Sequence, residues 1–179
     1  MGYGYGAQYD SSDINSALDT GNRGFSEMLV PASDGLSGHG TAVASIAAGS
    51  RNSQSGGIAY ESEIIAVALK RTGGSDGGYT RTIDIMEGID YALRKAIELN
   101  MPIVINLNEG AHDGNTLFEN YITDINGIWK NIVVVAAGNE GDSRHHVRTD
   151  VSSNINRTEF AIGDNEKNIR LFIWKYFQD

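Results

Sequence analysis

The sequence contains no cysteine, which excludes disulfide bonds, thiolate metal ligands and cysteine nucleophiles. It also lacks a long apolar run. Even a run as long as Ile132–Ala137 is far shorter than the roughly 20 residues that a membrane span requires. The N-terminal segment does not show the basic and then apolar layout of a signal peptide. We therefore expect a soluble protein without a membrane partner.

Positive charge is scarce as well. The 14 basic residues are scattered among 23 acidic ones, and the formal net charge is -9. Because phosphate binding needs clustered Lys and Arg, no nucleic-acid partner is expected. Two prolines, 22 glycines and 40% hydrophobic residues in 179 positions indicate a single, loop-rich globular domain.

Three short, continuously apolar runs predict strands that are buried on both faces, as in a parallel sheet: Ile64–Leu69, Ile103–Leu107 and Ile132–Ala137. Apolar residues at helical spacing lie between the first and second runs, and again between the second and third. Thr116 and Glu119 form a capping-box pattern at the start of the second helix.

Strand and helix therefore alternate, which predicts an α/β fold with a doubly wound, mainly parallel sheet. After this sheet, apolar and polar residues alternate around the turn Gly163–Asn168, which predicts a C-terminal β-hairpin segment. The hairpin pattern stops without a closing element, so we expect an incomplete domain.

One histidine lies at the start of a run of small apolar residues. His39 sits between Gly38 and Gly40, and Thr41–Ala48 predicts a buried helix that Gly49 ends. A neutral imidazole held at a fixed position is a good general base. The alternative is a core histidine satisfied by one hydrogen bond.

One asparagine follows the third predicted strand. Asn139 lies at the carboxyl end of the run, where doubly wound sheets place their sites. Its amide can donate a hydrogen bond to a developing oxyanion. The alternative is an ordinary turn asparagine, which is common after glycine.

Together, "GHGTAVA" (Gly38–Ala44) and "AAGNEG" (Ala136–Gly141) resemble the histidine and oxyanion-hole motifs of subtilisin-like serine proteases, the subtilases. The segments "GYGYGAQY", "MLVP", "EFAIG" and "FIWKYF" are similar to segments of the subtilases of clostridial spores that act in germination. The resemblance implies that His39 is the general base and Asn139 the oxyanion donor. It also implies two substrate-binding segments, Asn108, Glu109 and Gly110 beside the peptide and Ala136, Ala137 and Gly138 on the pocket floor.

The same resemblance implies a serine endopeptidase that works through an acyl-enzyme and needs no cofactor or metal. Its substrate would be a protein or peptide, and a propeptide or the missing parts of the domain would be further partners. The family orders its triad as aspartate, histidine, serine. We expect the aspartate-motif and serine-motif segments to be absent, which makes 1–179 a partial peptidase domain that is inactive alone. By resemblance the location is the spore or the cytoplasm.

The substrate-edge motif departs from the family pattern. Asn108 and Glu109 stand where the family has serine and an apolar residue. If Glu109 points into the subsite, a basic substrate residue is favoured there. Alternatively the cleft has degenerated, and the protein is a non-catalytic pseudoprotease that binds a partner protein in spore germination.

Overall fold

A computed structural model of the chain describes residues 4–31, 38–52, 55–69, 80–107, 116–139, 141–142, 147–149, 157–164, 171 and 173. The chain divides into two units, Met1–Lys70 and Arg71–Asp179, each with its own set of helices. None of the helices in the described ranges is both long enough and apolar enough to cross a membrane.

The described part of the first unit contains three helices: α1 (Ser11–Asp19), α2 (Arg23–Leu29) and α3 (His39–Ala48). Helix α1 begins at a capping box, in which Asp10 Oδ1 accepts from Asp13 N at 3.1 Å and Asp13 Oδ2 accepts from Asp10 N at 2.9 Å. Ser26 in α2 donates its hydroxyl to the carbonyl of Ala17 in α1 at 2.7 Å. This bond ties the two short helices together.

The second unit contains α4 (Thr82–Glu98), β1 (Ile103–Leu107), α5 (Leu117–Ile125) and β2 (Asn131–Val135). The two strands pair in parallel, from Ile103 opposite Asn131 to Leu107 opposite Val135. Helix α5 is the crossover that a parallel pair requires. The mixed helices and the small parallel sheet confirm the predicted α/β class, with two of its three strands and both intervening helices.

The core of the second unit lies between the two helices and one face of the sheet. It consists of five buried apolar side chains: Ile89, Leu93, Ile105, Phe118 and Ile125. Each such side chain stabilises the fold by about 1.5–3 kcal/mol when it leaves water. The helical spacing of apolar residues in α4 and α5 is therefore the pattern of the face that packs on β1.

Hydrogen bonds at the rim of this core fix the helices in register. The hydroxyl of Tyr121 in α5 donates to the carbonyl of Met86 in α4 at 3.1 Å, and Trp129 Nε1 donates to the carbonyl of Met101 at 2.7 Å. The predicted capping box at the start of α5 is confirmed, with Thr116 N donating to Glu119 Oε2 and Glu119 N to Thr116 Oγ1.

The first predicted strand is wrong. Ile64–Leu69 forms no strand, and its apolar side chains are largely exposed, Ile64 at 55%. A strand needs a partner, and the described part of the first unit contains no other strand to pair with it. The third predicted strand begins one residue earlier than predicted, at Asn131, and ends at Val135.

The predicted burial of the histidine helix is also wrong. Helix α3 has no buried residue, and Ile46 is 70% exposed. Gly49 ends the helix as predicted, with an extended backbone. Glycine is required there because a Cβ would lie 2.5 Å from the carbonyl oxygen of Ser45.

The predicted C-terminal hairpin is described in part. Residues 157–164 form no strand, while most of the turn and the second arm lie outside the described residues.

Candidate active site

His39 is the first residue of α3, as the sequence predicts. Gly38 precedes it with a left-handed backbone, φ 61° and ψ 15°. The carbonyl of Gly38 accepts the first helical hydrogen bond, from Ala42 N at 3.0 Å. A residue with a Cβ would be strained in that conformation, so glycine lets the chain turn directly into the helix that carries the imidazole. His39 is exposed, which leaves the ring accessible to a substrate.

The far end of α3 is held by the segment that follows it. Ile58 N donates to the carbonyl of Ile46 at 3.2 Å, and Ala59 N donates to the carbonyl of Ala47 at 2.8 Å. These bonds satisfy carbonyl groups that a helix end otherwise leaves without a partner. Gly57 is buried, and a Cβ at that position would overlap the backbone at the end of the helix. The C-terminal end of the helix that carries His39 is therefore anchored to the segment that follows it.

The predicted oxyanion segment follows β2 directly. Ala136 N donates to the carbonyl of Leu107 at 2.9 Å, which carries the ladder one residue beyond the strand. Gly138 then turns the chain with a left-handed φ of 85°, and Asn139 follows in a bend. The segment Ala136–Asn139 is exposed. Asn139 thus occupies the carboxyl edge of the sheet, as predicted for an anion-stabilising amide.

The first predicted substrate-binding segment, Asn108, Glu109 and Gly110, lies outside the described residues. Leu107, the last residue of β1, is the one whose carbonyl binds Ala136 N. The structure therefore joins the strand ends from which the two predicted substrate-binding segments continue.

The two predicted catalytic residues belong to different units. His39 lies in Met1–Lys70 and Asn139 in Arg71–Asp179. The helix that carries the predicted base thus lies in one unit and the predicted oxyanion segment in the other.

The sequence also contains the string Asp19–Thr20–Gly21, which matches the letters of the subtilase aspartate motif. In the structure Asp19 is the last residue of α1, and Thr20 caps the helix with its hydroxyl donating to the carbonyl of Ala17 at 2.8 Å. Gly21 has a left-handed φ of 60°. The string therefore forms a helix end and a tight turn into α2, whereas sites in doubly wound sheets lie at strand ends.

The described ranges contain no group of three or more His, Asp or Glu side chains arranged to hold a metal ion. The chemistry available at the described site residues is that of an imidazole and a side-chain amide.

Comparison with known proteins decides the family. Residues 10–166 match the model of the Subtilase family. The chain belongs to the subtilase family. The match spans α1 through β2 and includes both motifs, so the resemblance carried by "GHGTAVA" and "AAGNEG" is confirmed.

Two relatives of this subtilase are themselves proteases. A thermophilic serine proteinase from Bacillus sp. (strain AK1) is 39% identical over 113 residues, which cover 60% of this chain and 25% of that protein. The structure of the Clostridium perfringens CspB protease is 41% identical, with a TM-score of 0.64, over 78% of this chain and 29% of that one. The subtilase chain thus spans between a quarter and a third of the length of these relatives.

Proposed function

We propose that this subtilase chain is the central part of a serine endopeptidase domain. His39 acts as the general base and Asn139 as the oxyanion donor. Asn108, Glu109 and Gly110 pair with the extended peptide substrate, and Ala136, Ala137 and Gly138 line the pocket for the residue before the cleaved bond.

The hydrogen bond from Ala136 N to the carbonyl of Leu107, at 2.9 Å, carries this proposal. It joins the ends of β1 and β2, the strands that the two proposed substrate-binding segments follow in the sequence. An extended peptide binds such an edge by main-chain hydrogen bonds, while neighbouring pockets select its side chains. Asn139 follows three residues after this bond, which suits an amide that acts on the carbonyl of a peptide bound there.

The chemistry assigned to the two residues is acyl transfer. His39 removes the proton of a serine hydroxyl as the serine oxygen bonds to the peptide carbonyl carbon. The carbonyl oxygen becomes an oxyanion, to which the Asn139 amide donates a hydrogen bond. His39 then passes the proton to the leaving amine as the carbon–nitrogen bond breaks. Water hydrolyses the acyl-enzyme by the reverse sequence.

The nucleophilic serine and the aspartate that orients His39 come, in this proposal, from the remaining parts of the domain. In subtilisin, loss of the serine or the histidine costs about a million-fold in turnover. We therefore expect this chain to be nearly inactive alone, and we count the rest of the domain, or a propeptide, among its partners.

A second candidate is a non-catalytic pseudoprotease that binds a partner protein, in germination by analogy with the spore subtilases. Asn108 and Glu109 favour it, because they replace the serine and the apolar residue usual at the substrate edge. Under the protease proposal, the same Glu109 selects a basic residue of the substrate.

A chimera separates the two candidates. Residues 10–166 replace the matched segment of the Bacillus proteinase, which supplies the remaining parts of the domain. Cleavage of fluorogenic peptides with Arg or Leu at the subsite near Glu109 is then measured. We expect hydrolysis with a preference for Arg. A folded chimera that reacts with a serine-directed phosphonate but cleaves neither peptide supports the pseudoprotease.

Variants of the chimera test the residue roles. We expect His39→Ala to remove nearly all activity, and Asn139→Leu to lower kcat by about 10²- to 10³-fold with little change in KM. Asn120→Leu, on the exposed face of α5, is the matched control and should leave both constants unchanged. An Asn139→Leu variant with the kcat of the control contradicts the oxyanion role.

A further inference from the structure

The turn between α5 and β2 carries the only Asn–Gly pair in the sequence, Asn126–Gly127. Asn126 is the residue that ends α5, with φ -57° and ψ -23°, and its side chain is exposed. Gly127 is exposed too, and a Cβ built on it would meet no atom within 4 Å. In the part of the chain that the structure describes, no hydrogen bond holds the Asn126 amide.

We propose that Asn126–Gly127 is a site of spontaneous deamidation. The backbone nitrogen of Gly127 attacks the side-chain carbonyl carbon of Asn126, a carbon–nitrogen bond forms, and the amide nitrogen leaves as ammonia with the proton from Gly127. Water then opens the resulting five-membered succinimide at either carbonyl. The products are aspartate, and isoaspartate in which the backbone runs through the former side chain.

Access to the attacking nitrogen favours this position. Gly127 has no side chain to shield its nitrogen, and the end of a helix frays more readily than its interior. Reaching the attack geometry requires Asn126 to leave its helical ψ, which the open space around Gly127 permits.

Other asparagines followed by a small residue are held more firmly. Asn15 precedes Ser16 inside α1, where the helix fixes the backbone of both residues. The side-chain oxygen of Asn52 accepts a hydrogen bond from Ser55 N at 2.8 Å. Deamidation should therefore be faster at Asn126 than at either of them.

The modification would alter a connection on which β2 depends. The carbonyl of Ile125 accepts from Ile128 N at 3.0 Å and from Asn131 Nδ2 at 2.8 Å, so both bonds cross the turn that contains Asn126. Either product adds a negative charge at the C-terminal end of α5, where the helix dipole disfavours it. Isoaspartate also lengthens the backbone by one methylene in the turn that precedes the strand. The site therefore acts on the register of β2 rather than on a catalytic side chain.

The test uses the full chain, incubated in warm, mildly alkaline buffer and sampled over time. Tryptic peptides are analysed by fragmentation mass spectrometry, and isoaspartate is detected by methyl transfer with an isoaspartyl methyltransferase. We expect the mass gain of amide-to-acid conversion at Asn126 before any other asparagine, with isoaspartate exceeding aspartate. An earlier gain at Asn15 or Asn52, or no gain at Asn126, overturns the proposal.

Gly127→Ala is the matched variant. The φ of Gly127 lies outside the left-handed region and the space beside it is open, so alanine fits without strain. We expect the variant to keep the circular dichroism spectrum of the parent and to lose most of the mass gain at Asn126. If Asn126 of this variant gains mass at the parent's rate, the glycine does not control deamidation, and the mechanism is contradicted.

Discussion

Replacing Gly138 by alanine tests how the proposed oxyanion amide is positioned. Gly138 has a left-handed φ of 85°, and an alanine held in that region costs about 1–2 kcal/mol. The segment Ala136–Asn139 is exposed. Little packing therefore opposes relaxation. We expect the backbone to escape the strain by rotating, which swings Asn139 away from its present direction.

The loss then appears in catalysis rather than in stability. An oxyanion donor contributes about 2.7–4 kcal/mol to the transition state, more than the strain that its displacement relieves. In the chimera, Gly138→Ala should therefore lower kcat by no more than that strain, about 5- to 30-fold and less than Asn139→Leu, while the urea midpoint of the protein changes little. Gly127→Ala, at an ordinary φ, should affect neither kcat nor the midpoint adversely. Parental kcat in Gly138→Ala would refute this account of the turn.

Three further predictions concern the second unit and are checked by urea denaturation of the chain. Leu93→Ala, at a 3% exposed core position, should cost about 2–5 kcal/mol of unfolding free energy, whereas Leu117→Ala, at an 84% exposed position, should cost little; equal losses would contradict the assigned core. Thr116→Ala should cost about 0.5–2 kcal/mol because it removes the cap of α5, and Thr116→Ser should recover most of that loss. The hydrogen bond from Arg81 lowers the pKa of Asp84 below its ordinary value of 3.8, so the ion pair stabilises the fold above that pH and this stabilisation is lost as pH falls through the lowered pKa. Asp84→Asn should therefore make the unfolding free energy fall less steeply at acid pH. An unchanged fall would exclude the pair as its source.

Local patterns in the sequence were sufficient to predict elements that are stabilised by contacts between residues close together in the sequence. The capping box at Thr116 and the helical spacing in α4 and α5 are short-range patterns, and the structure confirms them. The parallel pairing of β1 and β2 also followed, because a helix between two apolar runs leaves a crossover as the natural connection. Asp10 and Asp13 form a capping box of the same short-range kind at the start of α1.

Predictions that depend on distant partners were weaker. The apolar run Ile64–Leu69 has the composition of a buried strand, yet composition cannot supply the strand beside it. The composition of α3, with its small residues, likewise predicted burial. Ile46 is nevertheless exposed, because no described residue of its unit covers it. The letters of Asp19–Thr20–Gly21 similarly carry no information about whether they follow a strand or, as here, a helix.

Both proposed catalytic side chains come directly after a left-handed glycine. Gly38 has φ 61° before His39, and Gly138 has φ 85° before Asn139. Glycine permits this conformation but does not impose it, so the sign of φ was not readable from either motif. The left-handed conformation follows from the position of each glycine. Helix α3 starts immediately after Gly38, and Gly138 lies two residues beyond the last ladder bond of β2. In each case the backbone changes direction where a regular element starts or stops, and the element fixes where the next side chain begins. A base and a hydrogen-bond donor that must be placed to within a fraction of an ångström are well served by such positions, because few rotatable bonds separate them from rigid structure.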